Sequence, residues 1–401
     1  MKLVLINHSD TIGGASVVTY RLLKALQAEG VDASMLVVHK ATDDPAVITV
    51  APHWRARIPF YAEAARIYAA NGFDRGDLFK VSLGSDGLPL SRHPLVRQAD
   101  AVLLAWINQG MLSLREIGRI ASRKPVMWTM HDMWCITALC HHAGDCRRMS
   151  EPEGCRLCPF LHGRASEHDA AARVWREKQK LYGSADIDFV AVSTWLKDRC
   201  LDSRLMDSQH VSVIPNAFPV EDFYSAPSRD GKRVILMGAA RLDDPVKGLP
   251  YAVEMLNKLK STNAEAVFFG NMRDPRALDG LRFPYRYIGP VSDPAELRRL
   301  FSTAHAVIST SLYETLPGTL IEGMAAGAVP VSFDRGGQAD IIRTHDDGRL
   351  IPFGDTDTMA AALDDVLATD HDRAALRHTV ATRFSSRAVA AAYIDLIKSR
   401  L

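Results

Sequence analysis

The sequence has no excess of charge of either sign and no long apolar run. Its 401 residues include 48 Lys and Arg against 47 Asp and Glu, a net charge of +1 at pH 7. Proteins that bind nucleic acid usually carry a strongly basic face, so this balance gives no indication of a nucleic-acid partner. No run approaches the roughly 20 apolar residues of a membrane-spanning helix.

The N-terminal segment MKLVLINHSD has an apolar run too short for a signal peptide. We therefore expect a cytosolic, cytoplasmic protein, and a peripheral position on the inner face of the membrane is the alternative. The sequence also lacks internal repeats and low-complexity tracts. No G-x-G-x-x-G follows the first apolar run, which argues against an NAD-dependent oxidoreductase. With 47% hydrophobic residues and a mean hydropathy of −0.06, the chain should form two or three globular domains.

Cysteine is scarce and unevenly placed. Five of the six cysteines lie between positions 135 and 158. In a cytosolic enzyme such a cluster points to a metal before disulfides. Four thiolates would form a closed structural zinc site without an open position for chemistry. Unligated thiols, an iron–sulfur cluster, or His141 or His142 in place of one cysteine are the alternatives. The predicted ligands form the pattern C-x5-C-x8-C-x2-C: Cys140, Cys146, Cys155 and Cys158.

The stretch at 311–337, SLYETLPGTLIEGMAAGAVPVSFDRGG, follows a short apolar run at 306–309. The pattern predicts strand, loop, helix and strand, which is typical of a parallel sheet with crossover helices. Glu314 falls in the loop at the carboxyl end of the first strand, and Glu322 on the helix. Carboxylates accept hydrogen bonds well from sugar and ribose hydroxyls. The alternative interpretation is two solvated glutamates on either side of an ordinary helix start.

The start of that helix is suited to an anion. Its unpaired N–H groups and the positive end of its dipole favour a phosphate. Together with the two glutamates, this predicts a site for a nucleotide sugar. The amides in question belong to Gly318, Thr319 and Leu320.

Three more segments place polar groups or glycines at predicted strand ends. Gly13 and Gly14 make the turn between a first strand and a helix, where a backbone can approach a bound group closely. His131 and Asp132 follow the apolar run PVMWTM. Arg241 and Lys247, six positions apart, follow another apolar run and could bind a diphosphate through charge-assisted hydrogen bonds. Each segment alone has a plain structural interpretation: a tight turn, a polar loop pair, or surface cations.

Taken together and in this order, the motifs resemble the retaining glycosyltransferases of family 4, which have the GT-B fold. They are the glycine pair, the string WTMHDMW, the hinge VSVIPNAFPVEDF, Arg241 with Lys247-Gly248, and the two glutamates with seven residues between them. The resemblance implies an α/β protein with two Rossmann-like domains whose parallel sheets face each other across a cleft. It implies an acceptor-side domain at 1–215 with a cysteine-rich insertion at 135–160, and a nucleotide-sugar domain at 216–384. A helix at 385–401 would cross back to the first domain.

The resemblance implies a hexosyltransferase. It would move a sugar from a UDP- or GDP-sugar to a glycan or lipid-linked acceptor, with retention, in surface polysaccharide biosynthesis. His131 and Glu314 would be catalytic, and no catalytic metal is expected beside the possible structural zinc. The donor-binding residues would be Gly13, Gly14, Arg241, Lys247, Gly318, Thr319, Leu320 and Glu322.

Several points stay open. Many family members have Gly-Phe-Gly after the first glutamate, whereas this chain has TLPG, a variant of polysaccharide-assembly members that leaves the donor sugar undetermined. A non-catalytic partner subunit and a GT-B sugar epimerase are the alternative functions. The aromatic and arginine-rich segment 53–80 predicts a helix, packed on the sheet or lying on an anionic membrane. Residues 225–232 are linker-like.

Overall fold

The computed structural model describes residues 1–78, 80–224 and 231–401. Within these residues the chain divides into two compact units. The N-terminal unit contains residues 1–216 and 389–401, and the C-terminal unit contains residues 217–388. Most of the linker predicted at 225–232 lies outside the described residues, as does residue 79 of the predicted helix 53–80.

In the described part of the N-terminal unit the sheet has seven strands, and all of its paired strands run parallel. Their order is β3-β2-β1-β4-β5-β6-β7, so the connections reverse direction between β1 and β4. The strands are nearly continuous apolar runs because helices cover both faces of a parallel sheet. They are β1 (Lys2–Ile6), β2 (Asp32–Val37), β3 (Val47–Thr49), β4 (Ala101–Leu104), β5 (Val126–Met130), β6 (Ile187–Ala191) and β7 (Val211–Val213).

Three helices of this unit begin after a serine or aspartate side chain that caps them. Ser113, Asp169 and Ser193 each accept a hydrogen bond from an amide of the following first turn, which satisfies a donor that the helix itself leaves unpaired. The helices are α1 (Gly14–Ala28), α2 (His53–Ala70), α3 (Pro94–Gln98), α4 (Leu114–Ala121), α5 (Ala170–Ser184) and α6 (Thr194–Leu201).

Helix α2 ends at Ala70, ten residues before the end of the predicted segment. Its Glu63 is buried and accepts hydrogen bonds from the amides of Leu83, Gly84 and Gly110 at 2.7–2.9 Å. The helix is therefore fixed against the loops that carry these amides, whereas packing on the sheet and membrane contact both stay predictions. Among the described residues, no helix is both long and apolar enough to cross a bilayer.

The described part of the C-terminal unit has a six-stranded parallel sheet of order β10-β9-β8-β11-β12-β13. Here the connections reverse between β8 and β11. The strands are β8 (Arg233–Arg241), β9 (Ala264–Asn271), β10 (Tyr285–Tyr287), β11 (Ala306–Ser309), β12 (Val329–Asp334) and β13 (Arg349–Pro352). The helices are α7 (Leu249–Leu256), α8 (Pro294–Thr303), α9 (Gly318–Ala325), α10 (Gln338–Ile341), α11 (Thr356–Ala368) and α12 (Arg373–Phe384).

The last helix, α13 (Ser386–Lys398), contributes its residues from Val389 onward to the N-terminal unit. Its Tyr393 is 1% exposed, and the hydroxyl lies 2.8 Å from the hydroxyl of Thr129 on β5. The predicted α/β class, with two parallel sheets, is thus confirmed. Both sheets have a point where the strand order reverses, and in open α/β sheets ligands bind outside the carboxyl ends of the strands at that point.

Candidate functional site

Most of the predicted donor-binding residues gather at the reversal point of the C-terminal unit. Arg241 is the last residue of β8, and Lys247 follows in the short 3₁₀ helix Pro245–Lys247. Glu314 follows β11, and Gly318 is the first residue of α9. The carboxyl ends of two neighbouring parallel strands therefore bring these residues to one edge of the sheet.

Lys247 and Glu314 form an ion pair. The Lys247 Nζ atom lies 2.5 Å from Glu314 Oε1, which also accepts a hydrogen bond from the Ser311 hydroxyl at 3.0 Å. Burial by itself lowers the pKa of Lys247, but the charge and hydrogen bond of Glu314 outweigh it and raise that pKa above its ordinary value. Lys247 therefore stays protonated at neutral pH, and its ammonium group is held beside the Glu314 side chain.

Gly248 makes this placement possible. Its φ of +65° lies in the left-handed region, and a Cβ atom there would lie 2.0 Å from the carbonyl oxygen of Thr310. The Thr310 hydroxyl donates to the carbonyl of Gly248 at 2.9 Å, and the Leu312 amide donates to the Val246 carbonyl at 2.8 Å. The loops after β8 and β11 are thus joined backbone to backbone, which explains why glycine must follow Lys247.

Arg241 is also paired with carboxylates. Its Nη2 atom lies 2.8 Å from Asp244 Oδ2, and its Nε atom lies 3.7 Å from Asp243 Oδ1. Asp243 Oδ2 accepts hydrogen bonds from the amides of Arg273 and Asp274, which lowers the pKa of this carboxyl. The sequence analysis did not single out these two aspartates, although they stand two and three residues after Arg241.

The start of α9 keeps part of its predicted anion-binding capacity. The Leu320 amide donates to the Pro317 carbonyl at 3.2 Å, and the first turn carries no acidic side chain. Glu322 lies four residues after Gly318, so the two share a face of the helix. Glu322 is 8% exposed. The helix therefore offers amides at its start and a carboxylate one turn later.

Gln338, at the start of α10, is a polar group that the sequence analysis missed. It is fully buried, and among the described residues neither its carboxamide oxygen nor its nitrogen has a hydrogen-bond partner. It lies beside the site, because a Cβ atom at Gly336 would be 2.9 Å from Gln338 Oε1 and 2.1 Å from the Glu314 carbonyl oxygen. Only the chain position after β12 could have drawn attention to it.

The predicted residues of the N-terminal unit lie at the carboxyl ends of β1 and β5. Gly13 precedes α1 with a φ of +88°, which favours glycine, and Gly14 is the first residue of that helix. His131 follows β5, and burial lowers its pKa to about 4 although the charge of Asp132 acts in the opposite direction. The structure thus brings the predicted residues together in two groups, one in each unit.

Asp132 has partners that the sequence did not indicate. Its Oδ2 atom accepts from the Trp106 indole nitrogen at 2.9 Å and lies 2.6 Å from His141 Nδ1. Its Oδ1 atom accepts from the Trp134 amide at 2.8 Å. Burial acts to raise the pKa of Asp132, but the charge and hydrogen bond of His141 lower it to about 2. Asp132 is therefore a fixed carboxylate that organises the groups around it.

His8 and Trp106 follow β1 and β4, the two strands at the reversal point of this sheet. Their rings lie 5.7 Å apart in an edge-to-face arrangement, and the His8 amide donates to the Trp106 carbonyl at 2.9 Å. Burial, together with the neighbouring His39, lowers the pKa of His8 to about 4. Neither residue belongs to a recognisable local motif, so the sequence analysis missed both.

The two histidines predict an acid-sensitive N-terminal unit. Both have a folded-state pKa of about 4 against an ordinary value of 6.5, so the unfolded chain binds more protons between these pH values. Stability should therefore fall as the pH drops from 6.5 toward 4, by at most about 3 kcal/mol per histidine. All six tryptophans lie in this unit, so tryptophan fluorescence during urea unfolding at pH 7 and pH 5 reports the change.

A matched pair of variants separates this effect from general acid sensitivity. His8→Asn should weaken the pH dependence of the unfolding free energy, whereas replacement of the exposed His168 with alanine should leave it as in the parent protein. An unchanged dependence in His8→Asn would show that His8 takes up its proton equally in both states.

The predicted zinc site is not supported. Among the described residues, no group of three or more His, Cys, Asp and Glu side chains is arranged to hold a metal ion. Burial raises the pKa of Cys140 to about 11 and the pKa values of Cys155 and Cys158 to about 12. The spacing of the four cysteines is that of a zinc loop, but the described side chains form no metal site: Cys140, Cys146, Cys155 and Cys158.

Hydrogen bonds hold the cysteine-rich segment instead. The ammonium group of Lys178, fully buried on α5, donates to the carbonyls of Trp134 and Thr137 and lies 3.6 Å from the centre of the Trp134 ring. The hydroxyl of Tyr182 donates to the Cys135 carbonyl at 2.9 Å. The segment is therefore anchored to α5 from within the unit.

Sequence comparison finds relatives whose names include a phosphatidylinositol lipid. The chain is 31% identical over 178 residues to a phosphatidyl-myo-inositol mannosyltransferase of Mycolicibacterium smegmatis, covering 40% of this chain and 44% of that protein. It is 22% identical over 253 residues to the phosphatidylinositol N-acetylglucosaminyltransferase gpi3 subunit of Schizosaccharomyces pombe, covering 60% of this chain and 54% of that one. The alignments span about half the length of these relatives.

Solved structures resemble the whole chain. A glycosyltransferase of Rickettsia africae superimposes with a TM-score of 0.68 at 16% identity, covering 99% of this chain and 98% of that one. Anabaena HepE in complex with UDP and glucose superimposes with a TM-score of 0.63 at 15% identity, covering all of both chains. At this identity the likeness shows the fold alone, and the fold is GT-B.

Family models agree with the motifs. The model for glycosyl transferases group 1 matches residues 231–369, which include Arg241, Lys247 and both glutamates. The model for glycosyltransferase family 4 matches residues 12–222, more than half of the chain, including the glycine pair and His131. With its fold, its motifs and both models in agreement, the chain belongs to glycosyltransferase family 4.

Proposed function

We propose that this protein is a retaining glycosyltransferase that moves a sugar from a UDP- or GDP-sugar to a glycan or lipid-linked acceptor. The observation that carries the proposal is the Lys247–Glu314 ion pair beside the start of α9. It places a cation, a carboxylate and helix amides at the strand ends where open α/β sheets bind ligands. These are the groups that a diphosphate joined to a sugar requires.

The diphosphate would bind to the positively charged side chains at the edge of the C-terminal sheet. Lys247 and Arg241 now pair with Glu314 and Asp244, and a bound diphosphate would compete with these carboxylates for the two cations. The amides of Gly318 and Thr319 would contact a phosphate oxygen, whereas the Leu320 amide already donates to Pro317. Such preorganised groups stabilise the charge that develops on the leaving diphosphate.

The two carboxylates would accept hydrogen bonds from hydroxyl groups of the donor. Glu322 would accept from the ribose, and Glu314 from the donor sugar, as expected for carboxylates in nucleotide-sugar sites. Gln338, whose carboxamide is buried beside Glu314, could supply a further hydrogen bond if ligand binding opens that position. His131 would support the sugar as positive charge develops on its ring.

In the reaction the bond between the anomeric carbon and the diphosphate oxygen breaks, and a bond to the acceptor oxygen forms on the same face. The acceptor's proton would pass to the leaving phosphate oxygen, so no nucleophile of the protein is required. The bonds of Glu314 Oε1 to Lys247 and Ser311 suit a binding role for this carboxylate.

A lipid-linked or glycan acceptor is the best-supported class. Sequence relatives include enzymes named for phosphatidyl-myo-inositol and for phosphatidylinositol. Helix α2 exposes Trp54, Ile58 and Tyr61 next to Arg57, whose guanidinium lies 5.3 Å from the centre of the Tyr61 ring. Such a surface suits peripheral contact with anionic lipids. A lipid-linked acceptor at a membrane is what we expect of an enzyme of surface polysaccharide biosynthesis.

A panel of UDP-, GDP- and ADP-sugars tests the proposal. We expect one donor to raise the melting temperature and slowly release its nucleoside diphosphate. Glu322→Ala should weaken binding of that donor about 10- to 100-fold, because it removes a charge-assisted hydrogen bond to the ribose. The matched control is alanine at Glu296, an exposed helical glutamate of the same unit, which should bind donor normally.

The panel also distinguishes the alternatives. A non-catalytic partner subunit would bind none of the donors or would bind one without turnover. A sugar epimerase would convert the sugar without transferring it to an acceptor. Absence of binding by every nucleotide sugar would overturn the proposed function.

A further inference from the structure

His141 of the cysteine-rich segment lies between two polar side chains of the N-terminal unit. Its Nδ1 atom is 2.6 Å from Asp132 Oδ2, and its Nε2 atom is 3.1 Å from the hydroxyl of Ser82. His141 is 8% exposed and Ser82 is 1% exposed. Because a carboxylate can only accept, Nδ1 donates to Asp132 and, in the neutral ring, Nε2 accepts from Ser82.

The backbone fixes the position of the ring from both sides. The His141 amide donates to the Lys80 carbonyl at 3.0 Å, and the His141 carbonyl accepts from the Met133 amide at 2.8 Å. Val81 and Cys140, the residues before Ser82 and His141, form an antiparallel bridge. The cysteine-rich segment therefore brings His141 to Asp132, although the two are nine positions apart in the chain.

Serine, histidine and aspartate in this order also occur in hydrolases, but the surroundings of Ser82 do not suit that chemistry. The next two amides, of Leu83 and Gly84, would be the natural donors to an oxyanion. Both donate instead to the carboxylate of Glu63, at 2.8 and 2.7 Å. With these donors occupied and Ser82 buried, the three residues are suited to holding a position and not to nucleophilic attack.

Asp132, which His141 holds, in turn holds the side chain of Trp106. The indole nitrogen of Trp106 donates to the same Oδ2 atom that faces His141, at 2.9 Å. Trp106 is partly exposed, follows β4 at the reversal point of the sheet, and meets the edge of His8. A fixed aromatic face at that point provides an apolar surface for the C–H face of a sugar or cyclitol ring.

We propose that His141 is a positioning residue for the acceptor. It holds Asp132, and Asp132 holds the Trp106 ring as the surface on which a sugar or cyclitol ring of the acceptor packs. The inference rests on the proposed glycosyl transfer for its substrate, but the hydrogen-bonded chain from Ser82 to Trp106 can be tested without turnover. It also assigns a role to the cysteine-rich segment that requires no metal.

Two readouts test the proposal. The first is the ¹⁵N–¹H resonance of the Trp106 indole, assigned by its loss in Trp106→Phe. Without any substrate it reports the bond to Asp132 and also the His141 ring, whose centre lies 5.7 Å from that of Trp106; His141→Asn, which lacks the ring but keeps a donor, isolates the bond. The second is steady-state kinetics, with the acceptor KM compared with the slow hydrolysis of the nucleotide sugar in the absence of acceptor. Alanine at the exposed His168 is the matched control and should change neither readout.

The expected results differ between substitutions at one position. His141→Ala should shift the indole resonance and raise the acceptor KM about tenfold, the effect of one lost hydrogen bond of about 1.4 kcal/mol, with donor hydrolysis unchanged. His141→Asn should return the indole resonance toward its position in the parent protein and keep the acceptor KM within about threefold of the parent value. The reason is that the carboxamide nitrogen can replace Nδ1 as donor. His141→Asn also keeps the test available if the alanine variant does not fold.

Two results would overturn the inference. An indole resonance that does not move in His141→Ala would show that Trp106 is held by other contacts. A shifted resonance with an unchanged acceptor KM would show that the Trp106 position does not concern the acceptor. If the parent protein turns over no nucleotide sugar, the proposed function fails, while the resonance still decides whether His141 positions Trp106.

Discussion

Replacing Lys247 with methionine should lower kcat/KM for sugar transfer by about three orders of magnitude. The substitution removes a cation from the predicted diphosphate site, and loss of one preorganised charge at a developing anion costs about 3 to 4 kcal/mol. It also leaves Glu314, which is 20% exposed, without its counter-charge. Release of nucleoside diphosphate under steady-state conditions measures the effect.

Two further variants show whether the charge of Lys247 or the fold of the loop is responsible. The double variant Lys247→Met/Glu314→Gln removes the unpaired carboxylate, so it should recover stability but not activity. Methionine at the exposed Lys260 controls for general loss of positive charge in the same unit. A fall of less than tenfold in the single variant would mean that Lys247 pairs with Glu314 for structural reasons only.

Gly248→Ala should destabilise the C-terminal unit by about 3 to 5 kcal/mol. The cost has two parts: a left-handed φ of +65°, and a Cβ atom placed 2.0 Å from a backbone oxygen that cannot rotate away. The loops after β8 and β11 would have to separate, and this would displace Lys247 from Glu314. Urea unfolding followed by circular dichroism measures the loss.

Gly289 offers a matched control for this prediction. It has a φ of +75°, but nothing lies within 4 Å of a Cβ atom built there. Gly289→Ala should therefore show only the conformational cost, about 1 to 2 kcal/mol. Equal losses in the two variants would mean that the contact with Thr310 relaxes freely. Tryptophan fluorescence should change little in either variant, because all six tryptophans lie in the other unit.

Local patterns predicted the C-terminal unit well. The apolar run at 306–309 coincides with β11, and the helix expected after Pro317 is α9. The reason is that buried parallel strands are continuous apolar runs, and their carboxyl ends must share one edge of the sheet. Arg241 ends such a strand, and Lys247 and Glu314 each follow one, so their location at one edge could be expected from the order of elements.

Contacts between distant segments could not be predicted in this way. Trp106, Asp132 and His141 meet through three loops, and no spacing in the chain indicates that their side chains converge. The cysteine spacing shows the same limit. It is compatible with zinc, but spacing along the chain does not show whether the side chains converge on one point, and among the described residues they form no metal site.

The connection between the two units has a consequence for how the protein is made. The C-terminal unit is one uninterrupted stretch, whereas the N-terminal unit needs residues 389–401, including the buried Tyr393. The last segment of the N-terminal unit is therefore made only after the whole of the C-terminal unit. The N-terminal unit cannot bury Tyr393 against β5 until every residue of the other unit has been synthesised.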